Sequence, residues 1–552
     1  MEYFSGKILL MLVITVFLLN TSTKCWALAS NNIPLDSPIY FYLEKLEAFG
    51  LVATNFKGIR PYSRAETARL VTEAEKGLDK LDGRSLVFAE RLLQRLKELL
   101  PREVGLYKEP DKAPSFDYNP FVGARLRYVY LDGVPRSYER PVDDPGGDGV
   151  FGIGSGLRPV NPYPTAAQQH GTEGTPLLEN NDGIVYHSGN NVEFRLIGEA
   201  YIKSFASALI EPLFLYSRGT DSKQFLLNEG YLKLGGKGLE LEVGRDENWL
   251  GTGYRGAITM TNNARNLDIV KISSPEPITS KYLWDLKYAL IVSRLDDTVI
   301  NGQERRPYFM AAKLSFLPNP NVEFGINYGK EFGGPGVNNS LSAYLKGIFG
   351  GTNSDNTNNL AGMELRLRLP FLRNTEIYGE FSGEDSALFW PIVESYVAGF
   401  FVPCLTSDGK NDLRFEYFLG NSILYTNGTF PEGYLYRGMP IGDSQGGAAE
   451  EFFVRYSHWF SIRNRLALEY YHTERGNLGR LPVDASGQVN LVDGVMQAVE
   501  RKNSMRAFWD LPLHGDFDLQ LMYGWERINN LNLMAGVDQT NQIFKLDVSY
   551  RY

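Results

Sequence analysis

The last nine residues set the problem for the whole chain. Phe544, Leu546, Val548, Tyr550 and Tyr552 fall on one face, and Lys545, Asp547, Ser549 and Arg551 on the other. A period of two is the mark of a β-strand. The pattern recurs along the chain. Val122, Ala124, Leu126, Tyr128 and Tyr130 oppose Arg125 and Arg127, and Val192, Phe194 and Leu196 oppose Glu193 and Arg195. Leu239, Leu241 and Val243 oppose Glu240 and Glu242, and Met363, Leu365, Leu367 and Leu369 oppose Glu364, Arg366 and Arg368. A soluble sandwich would turn the apolar faces toward a second sheet. A transmembrane barrel would turn them toward lipid and hold the charges in a polar lumen. Charge repeated on one face is hard to place in a dry core, because each buried charge must find a partner.

The connections favour the barrel. Eighteen segments of this kind run from about 121–131 to about 542–552, an even number as in bacterial barrels. Even-numbered connections are mostly tight: 235–238, 317–320, 370–374, 461–462 and 511–515. Odd-numbered ones are mostly long: 132–190, 331–360, 421–450, 474–500 and 527–541. Short turns at one end and long loops at the other is the outer-membrane arrangement. Both ends of the barrel segment then lie on the short-turn, periplasmic side. The expected fold is mainly β, a transmembrane antiparallel barrel of about eighteen strands with a small N-terminal α-helical bundle. So wide a lumen needs filling. The helices from below and Gly/Asn-rich loops from above are the candidates, with 132–190 read as surface loop or plug.

Composition fits. The chain has 552 residues, a formal net charge of −9 and 43% hydrophobic residues, the mixed average of strands with one wet face. A single apolar run, Ile8 to Leu19, follows Lys7, and Ala27-Leu28-Ala29 offers small residues for cleavage. That reads as a secretory signal over 1–29, cut after Ala29. Lys24 spoils the context of Cys25 for lipidation, and loss of Cys25 leaves Cys404 as the sole thiol. No internal disulfide or Cys-based metal site is then available. The acidic balance disfavours nucleic acid as a partner.

Helices come next, over 30–110. Ser37 and Pro38 open a helix carrying Ile39, Tyr40, Leu43, Leu46 and Phe49, and Gly50 stops it. Ser63-Arg64-Ala65-Glu66 is a capping box for a second helix running to about Leu78. A third runs from Ser85 to Leu100. A bundle of about 65 residues is near the lower limit of independent stability, so it should lean on the barrel. The barrel domain is read as 111–552.

The densest polar-aromatic stretch is Gly244-Arg245-Asp246-Glu247-Asn248-Trp249-Leu250-Gly251-Thr252-Gly253-Tyr254-Arg255-Gly256, continuing through Asn262-Asn263. By strand order it leaves the barrel at the long-loop end, which predicts the external mouth. Aromatic rings pack on sugar C–H faces, and Arg, Asp and Asn hydrogen-bond hydroxyls. Arg245, Asp246, Trp249, Tyr254, Arg255, Asn262 and Asn263 are therefore candidate polysaccharide-binding residues. The same residues serve equally well as loop packing, with Gly for turns and Trp249 buried. Carboxylate pairs such as Glu240/Glu242 and Asp246/Glu247 invite a hydrolase reading, but hydrolysis requires a defined separation across one bond. His170, His187, His458, His472 and His514 lack metal-ligand spacing. No phosphate loop, serine elbow or nucleotide fingerprint is present, so no catalytic residue, cofactor or metal is assigned.

Two resemblances follow. Tyr42 to Leu70, with Leu43, Leu46, Gly50-Leu51, Arg60-Pro61, Ser63-Arg64-Ala65-Glu66 and Leu70, looks like a single S-layer homology module, which implies binding to wall polymer. The helical start, Gly244-Arg245 with Trp249-Leu250-Gly251-Thr252-Gly253, Asn262-Asn263 and the closing aromatic strand resemble the Wzi family of capsule-assembly proteins. Thr252 stands where that family often has Pro. The resemblance implies an eighteen-stranded outer-membrane barrel with a periplasmic helical bundle and extracellular long loops, in a Gram-negative cell. It implies a lectin without enzymatic activity that retains exported capsular polysaccharide. The terminal Tyr resembles the sorting signal of such barrels, so Phe544, Tyr550 and Tyr552 are read as the signal for the outer-membrane assembly machinery. Expected partners are polysaccharide, outer-membrane lipid and that machinery, with the protein monomeric. The alternatives are a porin, a glycan hydrolase and a wall anchor.

Overall fold

The computed structural model describes residues 28–144, 163–236, 238–279, 284–300, 303–338, 340, 357–387, 389–476, 491–492 and 494–551. Most of the expected signal (1–27), Cys25 and Tyr552 lie outside the described residues.

Eighteen strands close one antiparallel barrel. They are β1 (Asp117–Asp132), β2 (Gly189–Ile202), β3 (Ala206–Ser217), β4 (Ser222–Gly236), β5 (Leu239–Asp246) and β6 (Leu267–Ser273). Next come β7 (Asp285–Arg294), β8 (Tyr308–Asn319), β9 (Val322–Phe332), β10 (Thr357–Leu369), β11 (Thr375–Ala387) and β12 (Trp390–Val402). The circuit ends with β13 (Asn411–Gly420), β14 (Ala449–Ser461), β15 (Asn464–Arg475), β16 (Glu500–Pro512), β17 (Phe517–Asn529) and β18 (Gln539–Tyr550). Each pairs with the next, and β18 returns to β1 with Val548 opposite Leu126 and Phe544 opposite Tyr130. Tyr550 packs against Phe121 and Phe517, with ring centroids at 6.0 and 5.0 Å, at the closing seam.

Every expected segment falls on one strand. The differences lie mainly at the long-loop end, where β4 begins at Ser222, β10 at Thr357 and β17 continues to Asn529. There the apolar alternation has given way to polar residues, but the backbone ladder goes on. Backbone pairing does not need an apolar face, so pattern alone stops short of the strand's end.

Burial inverts the rule for soluble proteins. Leu126, Phe194, Ile210, Val243, Val270 and Phe544 face outward and are exposed, while Glu193, Lys233, Glu242, Lys313, Glu364 and Arg366 face inward and are buried. An apolar outside is what lipid requires. Inside, charges are matched: Lys313 to Glu364 at 2.6 Å, Lys233 to Glu240 at 2.9 Å and Arg366 to Glu323 at 3.0 Å.

Among the described residues, four helices close the short-turn end: α1 (Ile39–Ala48), α2 (Arg64–Glu75), α3 (Gly83–Leu99) and α4 (Pro101–Leu106). The fourth, opened by Pro101, is a helix that the sequence reading did not separate. The capping box is half made. Ser63 Oγ accepts from Glu66 N at 3.1 Å, but the Glu66 carboxylate is drawn away to Lys287 on β7. The bundle is bound to the wall by Lys45–Asp412 and Arg414–Glu44 at 2.8 Å, and by Arg366–Glu47, Arg64–Glu199 and Arg95–Asp516 at 2.9 Å. Trp459 points inward from β14 and packs with Tyr42 and Phe88. Asn374, in the β10–β11 turn, donates to Ala48 O at 2.8 Å, which places the helices among the short turns.

Candidate functional site

The stretch after β5 does not stay at the mouth. It turns into the lumen, and Trp249–Leu250 pairs with Ile59–Arg60 from the α1–α2 connection. Inward carboxylates of the wall draw it down by accepting from its backbone. Thr252 N donates to Glu364 at 3.0 Å, Tyr254 N and Arg255 N to Glu416 at 2.8 Å each, and Ile258 N to Glu380 at 3.1 Å. Glu323 accepts from Lys57 N and Gly58 N at 3.0 Å each. Buried N–H groups need acceptors, and the carboxyl oxygens of the wall supply them. The expectation of an external mouth is thus corrected. Strand order gives the end from which a loop departs, but not the direction in which it folds. Glycine permits the close approach: a Cβ on Gly253 would run into the Gly256 carbonyl, and one on Gly256 into Asp443.

Above, apolar residues pack across part of the lumen. Ile59, Leu250, Ile258 and Met260 pack between wall residues Ile269, Ile291, Phe309, Val397 and Phe418, with Tyr425 and Tyr434 from the β13–β14 loop. A second inward segment, within the β1–β2 connection, places Leu177, Ile184 and Tyr186 against Val129, Leu213, Phe453, Tyr471 and Ile543. That part of 132–190 is plug. The helix-linked residues of the module-like stretch are also engaged inside the barrel, Lys57 with Glu376 at 2.7 Å among them.

Below this apolar packing, in the short-turn half, lies a cavity of about 350 Å³. Four of the seven candidates line it: Trp249, Tyr254, Arg255 and Asn262. Arg255 is held by Glu179 at 3.0 Å and Glu451 at 2.9 Å, and Asn262 donates to Asp182 at 3.1 Å. The other three stand elsewhere. Asp246 is buried and accepts from Asn32 Nδ2 at 2.8 Å. Asn263 donates to Pro440 O at 3.1 Å. Arg245 faces outward and pairs with exposed Asp268 at 2.8 Å.

Most of the lining comes from residues that the sequence reading did not single out. Guanidinium groups lie over aromatic rings: Arg60 over Trp249 at 4.6 Å, Arg414 over Tyr254 at 4.3 Å and Arg465 over Phe41 at 3.7 Å. Arg455 lies between Phe41 at 4.8 Å and Tyr254 at 5.1 Å. Inward-facing arginines were visible as strand alternation. Their convergence depends on the plug, which no local pattern encodes.

Charge in the loops around the cavity is set by these neighbours. Burial raises the Asp36 carboxyl, but Arg125 and Arg127 outweigh it and hold it below the usual carboxylate range. Burial likewise raises Glu179, and Arg255 and Arg506 bring it well below that range. Glu247 is pushed well above it by burial and by Asp182 and Asp36 nearby. The suspected carboxylate pairs are occupied. Glu240 and Glu242 share Lys233 at 2.9 and 3.5 Å, and Glu247 accepts from Leu35 N. Among the described residues no His/Cys/Asp/Glu group is arranged to hold a metal ion.

Comparison with known proteins adds four findings. The family model of capsule assembly protein Wzi matches residues 158–543. A solved structure of Wzi from Escherichia coli, described as an outer-membrane protein involved in group 1 capsule assembly and a carbohydrate-binding β-barrel, superposes with a TM-score of 0.62. It is 15% identical, with 96% of this chain and 99% of that one covered. OprD of Pseudomonas aeruginosa is more distant, with a TM-score of 0.40 and 9% identity over 80% of this chain and 97% of that one. A Klebsiella pneumoniae protein of 55.8 kDa from the cps region, itself uncharacterised, is 24% identical over 170 residues, 29% of this chain. The match spans about a third of that relative's length, 33%.

Proposed function

Because this chain belongs to the capsule assembly protein Wzi family, we propose that it binds exported capsular or exopolysaccharide and retains it at the cell surface. It does so as a monomeric outer-membrane barrel without catalysis or cofactor. The signal is removed after Ala29, the assembly machinery inserts the barrel by its closing strand, the bundle of 30–110 faces the periplasm and the long loops face outward. One observation supports binding over conduction: apolar plug residues pack in two clusters against different parts of the wall, and Trp249, Tyr254, Arg255 and Asn262 meet in one cavity. Aromatic faces beside hydrogen-bonding groups suit sugar rings, and concave sites of about 300–1,000 Å³ are the usual size for small ligands. A diffusion porin requires an open lumen instead. A hydrolase requires a carboxylate pair free to face a glycosidic bond, and Glu240 and Glu242 are engaged with Lys233.

The test is the partition of polysaccharide between cells and medium in a strain lacking the protein. Polysaccharide should still be made but shed, and complementation should restore it to the cells. Unchanged retention would leave the protein without this role.

A further inference from the structure

The charge lining the cavity does not balance. Eleven Lys and Arg residues face eight Asp and Glu residues. All eight acids are paired, each with a different cation. Asp36 holds Arg125 at 2.7 Å, Glu44 holds Arg414 at 2.8 Å, Glu179 holds Arg255 at 3.0 Å and Glu376 holds Lys57 at 2.7 Å. Glu469 holds Arg506 at 2.7 Å, Asp510 holds Arg465 at 2.7 Å, Asp518 holds Arg463 at 2.8 Å and Asp547 holds Arg127 at 2.8 Å.

Three cations are left over: Arg60, Arg455 and Lys545. Arg455 is 5% exposed, and its Nε has no hydrogen-bond partner among the described residues. Its nearest carboxylate, Glu469, stands at 3.7 Å and is already engaged by Arg506. Arg60 donates to the Gly253 carbonyl at 2.7 Å, and its Nε is likewise without a partner among the described residues. Lys545 donates to Gln520 at 2.7 Å and lies 3.8 Å from Asp547, which Arg127 holds. Arg455 and Lys545 therefore share carboxylates that another cation already holds more closely, and Arg60 has only a backbone carbonyl, so none of the three has a carboxylate to itself.

We propose that this cavity binds an acidic sugar, a hexuronate or similar carboxylate-bearing unit of a glycan, with Arg455 as the chief recognition group and Arg60 and Lys545 supporting it. The proposal rests on the polysaccharide-binding reading above and narrows it to acidic glycans. A guanidinium matches a carboxylate with two parallel hydrogen bonds, which a neutral sugar cannot offer. Phe41 and Tyr254 flank Arg455 and hold its guanidinium by cation–π contact, which orients it without neutralising it. Arg463 in the β14–β15 turn and Asp518 at the start of β17 also line the space, so it reaches the short-turn end. A volume of about 350 Å³ suits a short saccharide segment rather than a polymer passed through the wall.

The test uses the purified full-length protein in detergent, titrated calorimetrically with a galacturonate oligomer and with the same oligomer after reduction of its carboxyls. The acid form should bind at least about tenfold more tightly, and added salt should weaken it. Arg455→Gln should lose about tenfold for the acid form and nothing for the reduced form. Equal binding of the two oligomers, or salt-independent binding of the acid form, would overturn the proposal. So would an Arg455→Gln protein that migrates as folded on unheated gels yet binds the acid form like wild type. If Arg455→Gln does not fold, Lys545→Gln replaces it, with the same two outcomes. Failure here with polysaccharide still shed from the deletion strain removes only the acidic preference. Unchanged retention in that strain removes the broader reading.

Discussion

Two sets of lumen residues, the mid-wall carboxylates and the cavity arginines, use charge in opposite ways. At mid-wall, carboxylates are committed to the plug: Glu364, Glu380 and Glu416 each accept backbone N–H groups from 252–258. In the short-turn half, guanidinium groups outnumber their partners and lie over aromatic rings around an open space. The first arrangement consumes hydrogen-bonding capacity and fixes a chain segment. The second leaves capacity unspent. The same strands supply both, so the distinction comes from which inward residues the plug reaches. A lumen charge is structural where a carboxylate is committed to backbone N–H groups, and available where a cation lacks a carboxylate of its own.

The largest effect should come from breaking the committed set. Glu416→Ala strips acceptors from Tyr254 N, Arg255 N, Gly256 N and the Tyr378 hydroxyl. At about 1–3 kcal/mol for each buried orphan, the plug segment should detach. Steady conductance should then appear in planar bilayers where the wild type shows little, and a silent Glu416→Ala barrel would contradict the role given to that carboxylate.

Arg255 joins the two sets, lining the cavity while holding Glu179 and Glu451. Arg255→Met breaks a buried network, a loss of roughly 3–5 kcal/mol. The temperature at which the folded band converts on gels should fall clearly, and retention should fall with it. Loss of retention at unchanged heat resistance would make Arg255 a binding residue alone.

A graded effect is expected at the helical end. Burial raises the pKa of Glu47, but Lys57, Arg366 and Arg368 lower it from 4.5 to about 2. Its folded value is thus depressed, so the stabilisation is complete above pH 4.5 and is lost as pH falls toward about 2. Pepsin should cut the α1–α2 connection increasingly across that window. In Glu47→Gln the dependence on this group should vanish, and an unaltered profile would assign the acid lability elsewhere.

The smallest effect is expected at Arg245. Its pair with Asp268 is outward and exposed, and such pairs contribute roughly 0–1 kcal/mol. Arg245→Ala should leave heat resistance and retention as they are. A loss of retention would bring the outer rim back as a binding surface.

The wall was legible in the sequence because lipid and lumen impose a strict alternation on each strand, as in Leu239 to Val243. The helices were legible from Ser37-Pro38 and the Ser63 cap. The plug was only half legible. The Gly-Arg…Trp-Leu-Gly-Thr-Gly stretch announced tight turns and aromatic packing, but its inward path depends on carboxylates more than a hundred residues away, such as Glu364 and Glu416. The cavity was least legible, since Arg60, Arg414, Arg455 and Arg465 come from separate elements and converge only once the plug is in place.

The measurement that tests the account most directly uses proteoliposomes carrying the purified barrel, mixed with the cell's own surface polysaccharide and sedimented. The polysaccharide should sediment with the vesicles, and small sugars trapped inside should stay there. Polysaccharide left in the supernatant, with the trapped sugars leaking out, would mark an open channel and contradict a barrel filled to hold a glycan.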